Sequence, residues 1–217
     1  MKADTELQRD VLEELHWDPS FDAAEIGVSA KDGIITLSGQ AANFAEKSAA
    51  VRAAKHVSGV KAVADNIEVR LPGISERTDA DITRAAVNVL EWNIFVPHDR
   101  ITITLHNGWI TLEGTVDWHY QKVAAEHAVH SLMGVRGVTN TITVKPTVIS
   151  TEIKAKIEEA LRRNAAFDAQ RITVETHGRK VILLGQVRSW LEREEADAAA
   201  WAAPGVYEVE NRISVTP

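Results

Sequence analysis

Residues 101–116 read Ile-Thr-Ile-Thr-Leu-His-Asn-Gly-Trp-Ile-Thr-Leu-Glu-Gly-Thr-Val. Ile101, Ile103 and Leu105 alternate with polar residues, Asn107-Gly108 interrupts, and Ile110 and Leu112 resume the alternation up to Gly114. Alternation by two marks a strand with one buried face. Asn-Gly between two such runs predicts a two-residue hairpin turn. The phrase occurs twice more. Ile26 and Val28, the turn Asp32-Gly33, and Ile35 and Leu37 run up to Gly39. Ile172 and Val174, the turn Gly178-Arg179, and Val181 and Leu183 run up to Gly185.

The repetition extends outward from the hairpin. Twenty positions after each closing glycine stands another: Gly59, Gly134 and Gly205. Val60, Val135 and Val206 follow at once, then Val63, Val138 and Val209, and then Ile67, Ile142 and Ile213. Gly39 to Gly114 is 75 positions and Gly114 to Gly185 is 71, the difference falling between repeats. A register this strict means three copies of one folding unit.

Before each hairpin lies an apolar stripe at helical spacing: Leu7, Val11, Leu15; Ile82, Ala86, Leu90; Ile153, Ile157, Leu161. Asp4, Asp79 and Ser150 stand just ahead as N-cap candidates. After each closing glycine comes a helix whose inner face is small, with Ala50, Ala53 and Ala54 in the first copy. Gly59, Gly134 and Gly205 are expected to end that helix with a left-handed or otherwise non-helical backbone. The fold class is therefore α+β. Three tandem α-β-β-α-β units are predicted over residues 4–71, 79–145 and 150–217, each a three-stranded mixed sheet with both helices on one face. The linker Leu71 to Thr78 is long. The very short Lys145-Pro146-Thr147 predicts close packing of the second and third units, leaving the first freer.

Composition narrows the function. Net charge is −7 and no repeat is basic, so nucleic acid is not an expected partner. There is no cysteine, which excludes disulfides, thiolate metal sites and cysteine nucleophiles. No secretory leader is visible at the N-terminus, so the cytoplasm is the expected location, with the periplasm requiring a leader removed from the chain.

The glycine closing the second strand, the Gly-Val pair after the second helix, and an asparagine at the last strand together resemble the BON domain. That family is named for bacterial osmotically induced and nodulation proteins. The residues that carry the resemblance are Gly39 and Gly59-Val60; Gly114, Gly134-Val135 and Asn140; and Gly185, Gly205-Val206 and Asn211. The first copy departs by placing Asp65 in the asparagine position, with Asn66 beside it. The resemblance implies association with osmotic or envelope stress, with phospholipid surfaces in some members and with potassium sensing in one branch.

No phosphate loop, nucleophile elbow, zinc-protease helix or dinucleotide fingerprint is present, so neither catalysis nor an organic cofactor is expected. His127 and His130 share a helix face, but their counterparts in the first copy are Arg52 and Lys55, which favours a solvated face over a metal site. Asn140, Asn211 and Asp65 share the buried parity of the last strand, where structural pinning is favoured over ligand binding. Trp17 and Trp92 end equivalent helices and are expected to pack on their own units. The middle copy carries Trp109, Trp118, His119 and Tyr120 at its hairpin and strand–helix corner, and the third places Ile182 and Leu184 on the outward sheet face. These six are the candidate interaction surface. The leading expectation is a non-enzymatic module that docks to a protein partner or self-associates, with weak membrane-surface contact as a lesser role. The alternative is a small-ion (potassium) or small-ligand sensor.

Overall fold

The computed structural model describes residues 2–146, 152–163 and 171–216. Ser150 as an N-cap, Thr147 of the short linker, and the terminal bounds at 150 and 217 lie outside the described residues. The first repeat contains α1 (Asp4–Trp17), β1 (Ile26–Lys31), β2 (Ile34–Ala41), α2 (Phe44–His56) and β3 (Ala62–Val69). The second contains α3 (Asp79–Glu91), β4 (Ile101–His106), β5 (Trp109–Val116), α4 (His119–His130), β6 (Gly137–Asn140) and β7 (Thr143–Val144). The third contains α5 (Ile153–Arg163), β8 (Ile172–His177), β9 (Lys180–Val187), α6 (Trp190–Trp201) and β10 (Glu208–Val215).

In each repeat the second strand is central: β1-β2-β3, β4-β5-β6 and β10-β9-β8. The hairpin strands pair antiparallel. The last strand runs parallel to the central one, β10 against β9 and β6 against β5. In the first repeat the Lys61 N–H donates to the Gly33 carbonyl and the Arg70 N–H to the Ala41 carbonyl, so both ends of β3 advance with β2. The last strand of the second repeat is broken. Its two pieces, β6 and β7, both pair with β5, and the Thr141 hydroxyl donates to the Leu112 carbonyl at the break.

The cores follow the apolar stripes. In the third repeat one buried cluster joins Ile153, Ile157 and Leu161 of α5 to Val181 and Leu183 of β9 and to Ala196 and Ala200 of α6. Both helices thus cover one sheet face, and alanines let α6 approach the strands closely. Leu7, Val11 and Leu15 of α1 and Ile82, Ala86 and Leu90 of α3 are buried in the same way.

Two sequence expectations need correction here. Trp17 and Trp92 do not pack on their own repeats: they are 84% and 86% exposed. Each stands two residues beyond the last stripe leucine, about 200° further round the helix, and so faces away from the core. Asp4 and Asp79 are not N-caps. They are the first helical residues, and the caps are Ala3 and Thr78, with the Thr78 side chain accepting from the Asp81 N–H.

The described residues form two compact units. One holds the third repeat with Ala49–Ile67 and the start of the first; the other holds the middle repeat with Gln40–Ser48. The first repeat, predicted to be the freer one, touches the third where Lys55 Nζ lies 3.3 Å from the Glu194 carboxylate.

Candidate interaction surface

Asp4 and Asp79 have a different task from capping. The Asp4 carboxylate accepts from the Asp32 and Gly33 amides at 3.0 and 3.3 Å. The Asp79 carboxylate accepts from the Asn107 and Gly108 amides at 2.8 and 2.9 Å. The start of each first helix thereby holds its hairpin turn. Asp32 and Asn107 adopt φ of 54° and 51°, the left-handed values a two-residue hairpin turn demands.

At the other end of the sheet, strand two hands over to the second helix through a cap. In the first repeat the Asn43 side chain accepts from the Glu46 N–H and donates back to the Glu46 carboxylate. In the third, Ser189 Oγ accepts from the Glu192 N–H. The equivalent middle position is Trp118, whose side chain makes no cap bond. Gln121 still accepts from the Asp117 and Trp118 amides at 3.1 and 3.0 Å. A tryptophan thus stands where helix physics asks for Asn or Ser.

The exposed apolar surface of the middle repeat centres on the loop after α3. The Asn93 side chain accepts from the Phe95 N–H at 3.0 Å, the Asn93 carbonyl accepts from the Val96 N–H at 3.0 Å, and Val96 is buried. This tight, anchored loop presents Trp92, Ile94 at 90% exposure and Phe95 at 57%. The Phe95 ring meets the Tyr120 ring edge-on, centroids 6.3 Å apart, and Tyr120 is itself 54% exposed. Arg100 bridges to Asp117 at 2.8 Å and ties the loop to the same corner. Sequence reasoning singled out Trp118 and Tyr120 but missed Ile94 and Phe95. The signal was there in the alignment of repeats. The first copy makes the same turn with the Asp18 side chain accepting from the Ser20 N–H and buries Phe21 in the place of Val96, but it carries Pro19-Ser20 where the middle copy has Ile94-Phe95. The matching loop of the third copy lies outside the described residues.

Trp109 is half-exposed, at 51%, and lies across its own sheet. Its indole N–H donates to Thr139 Oγ1 at 2.8 Å, and a Cβ on Gly137 would run into its ring. Trp118 and His119 are half-buried. Burial, with Lys122 adding a lesser push, drives the His119 imidazole down to about 4, against the smaller pull of Glu126. In the third repeat Ile182 is only 7% exposed and Leu184 is half-buried, so that face offers less apolar contact area than its sequence predicted. The reason is position. β9 is central, and Ile182 sits between Glu175 on β8 and Glu210 on β10. Beside it Lys180 bridges Glu208 and Glu210 at 2.7 and 2.9 Å, and those two carboxylates raise its pKa.

The six glycines occupy special backbone. Gly114, like Gly39 and Gly185, sits at large positive φ, and a Cβ on it would overlap the Arg100 carbonyl oxygen before β4. Gly134 ends the turn after α4 at φ 92°, with Gly59 and Gly205 at 100° and 93°. The asparagines pin the last strand. Asn140 Nδ2 donates to the Lys122 carbonyl and the Glu126 carboxylate, and Asn211 Nδ2 to the Arg193 carbonyl and the Asp197 carboxylate. His130 packs its ring on Phe44, with centroids 4.8 Å apart. Among the described residues no group of three or more His, Asp or Glu could hold a metal ion, and no helix is long and apolar enough to cross a membrane.

Comparison with known proteins agrees with the repeat pattern. Osmotically-inducible protein Y of Escherichia coli (strain K12) is 30% identical over 129 residues, covering 57% of this chain and 63% of that protein. The match thus spans less than two thirds of the relative's length. Two solved structures of CdsD, a structural protein of the Type III secretion system of Chlamydia trachomatis, are 15% identical. One match covers 96% of this chain and 91% of that one with a TM-score of 0.27. The other is the CdsD C-terminal domain, covering all of both chains with a TM-score of 0.28. Scores this low carry no weight for fold or function. The BON-domain family model matches residues 3–70, 78–146 and 150–217, and the chain belongs to the BON-domain family.

Proposed function

We propose that this chain is a non-enzymatic, osmotic-stress-associated docking protein. Its middle repeat engages a protein partner, a second copy included, through the Trp92–Phe95 loop and the Trp118–Tyr120 corner. The observation that carries the reading is the joint exposure of Trp92, Ile94 and Phe95 on a loop held by its own hydrogen bonds, with exposed Tyr120 of α4 against Phe95. Large apolar side chains held in water without local need mark interaction sites, and Trp and Tyr are the residues that anchor them. Trp118 in a capping position adds to this, because a local rule broken at a surface corner suggests a task there. The stress association rests on the name of the Escherichia coli relative.

A protein partner is favoured over a lipid surface on charge. The chain carries −7, so anionic headgroups would repel it rather than attract it. The test is flotation of the full chain with vesicles containing phosphatidylglycerol. The reading expects the protein to stay at the bottom of the gradient at physiological salt. Flotation that disappears in the triple variant Trp92→Ser, Ile94→Ser, Phe95→Ser would replace the protein partner with a membrane.

A further inference from the structure

Two contacts between repeats turn out to be one contact made twice. Phe44, the first residue of α2, packs its ring against His130, the last residue of α4. Trp190, the first residue of α6, lies under Lys55 near the end of α2, with Nζ 5.5 Å from the ring centroid. In repeat register Phe44 and Trp190 are the same position, each five residues after its closing glycine. Lys55 and His130 are also the same position, 75 residues apart. In both cases the head of one second helix meets the tail of another.

The second instance is reinforced. Lys55 also reaches Glu194, one turn along α6, at 3.3 Å. The Arg193 guanidinium stands 4.8 Å from the Trp190 ring centroid, so two cations share one aromatic ring, an arrangement favoured by the ring quadrupole. The residue types fit the geometry throughout. The head positions are Phe44, His119 and Trp190, and the tail positions Lys55, His130 and Trp201, so every one carries a ring or a cation.

We infer that the second helix of this chain's repeats is a docking element of polar sense. Its aromatic head receives the ring or cation at the tail of another second helix, and the partner it fits is another BON repeat. Such a contact joins two different surfaces rather than one patch to itself, so it is heterologous. It is separate from the Trp92–Phe95 loop, and either can fail without the other.

The chain has no cysteine, which allows a clean test. Two full-length variants, Phe44→Cys with His130→Cys and Lys55→Cys with Trp190→Cys, are treated with a short bis-maleimide at low protein concentration. The controls Phe44→Cys with Gln121→Cys and Lys55→Cys with Ala198→Cys probe the opposite helix end. The head–tail pairs are expected to link within one chain at least about tenfold faster than the controls, because held groups have a high effective concentration. Lys55→Cys with Glu194→Cys leaves Trp190 in place and should also link, which keeps the result readable if loss of that ring loosens the fold. Linking no faster than the controls, or only between chains, would overturn the inference.

Discussion

Asp79, the first residue of α3, holds the turn at Asn107 and Gly108, its two carboxylate oxygens accepting their amides at 2.8 and 2.9 Å. Asp4 repeats the arrangement on Asp32 and Gly33. One carboxylate thus joins the start of the first helix to the hairpin nearly thirty residues on and satisfies amides that left-handed turn residues leave unpaired. Asp79→Ala should lower unfolding free energy by about 1–2 kcal/mol, as loss of charge-assisted hydrogen bonds at a partly solvated site does. Asp79→Asn, which keeps one acceptor oxygen, should fall between. Urea denaturation measures both, and an Asp79→Ala midpoint equal to the parent's would show that the clamp contributes nothing.

The pinning asparagines predict a rescue. Asn140 donates to Glu126 and accepts from the Ile142 N–H, and Asn211 does the same with Asp197 and Ile213. In the first repeat Asp65 likewise accepts from the Ile67 N–H, and the position matching Glu126 is Val51. An aspartate cannot donate to a neighbouring carboxylate. Asn140→Asp should therefore cost about 1–3 kcal/mol, and Glu126→Val added to it, recreating the first-repeat combination, should recover part of the loss. Strict additivity in this double-mutant cycle would contradict the pairing.

His119 gives the pH dependence a sign. Its folded pKa is about 4, lowered first by burial and then by Lys122, whereas the unfolded imidazole titrates near 6.5. Between those values the unfolded state binds the extra proton, so stability falls as pH drops from 6.5 to 4 and is unaffected by this group above 6.5. Asp197 acts oppositely. Burial raises its pKa, so stability falls as pH rises through the range just above its ordinary value. Replacing His119 by Phe, the residue at the matching position 44, should raise Tm relative to the parent by an amount that grows from pH 7 to pH 4.5. Parallel Tm curves would refute the His119 assignment.

Two equivalent glycines should not respond equally. Gly59 and Gly134 share positive φ, and alanine there carries a backbone cost of about 1–2 kcal/mol. A Cβ on Gly59 would meet Leu7 at an ordinary 3.4 Å, but one on Gly134 would meet Ile82 at 2.8 Å. Gly134→Ala should therefore be the more destabilising in thermal unfolding, and the reverse order would mean that backbone strain differs where the φ values say it does not.

The repeat register made most of the fold legible. Helix stripes, alternating strands and turn dipeptides each obey a local period, and three copies confirm one another. What it concealed depends on neighbours in space. Asp4 and Asp79 look like caps because a cap and the first helical residue differ by one position, and nothing local shows a carboxylate reaching a distant turn. Trp17 and Trp92 extend an apolar stripe to the eye, yet two residues of helical rotation carry them into solvent. Ile182 has outward parity, but parity cannot show that a central strand's flanks close over it. Ile94 and Phe95 were legible only by setting them against Pro19 and Ser20 of the first copy, where the same turn is made without apolar side chains.

The most direct test of the docking surface is a photo-reactive amino acid placed at Phe95 of the full chain in living cells, with Ala24 as an exposed control site. Illumination is predicted to yield discrete protein adducts from position 95 that are absent from position 24 and lost when Trp92 and Ile94 are changed to serine. Adducts to lipid alone, or the same protein adducts from both positions, would contradict the account.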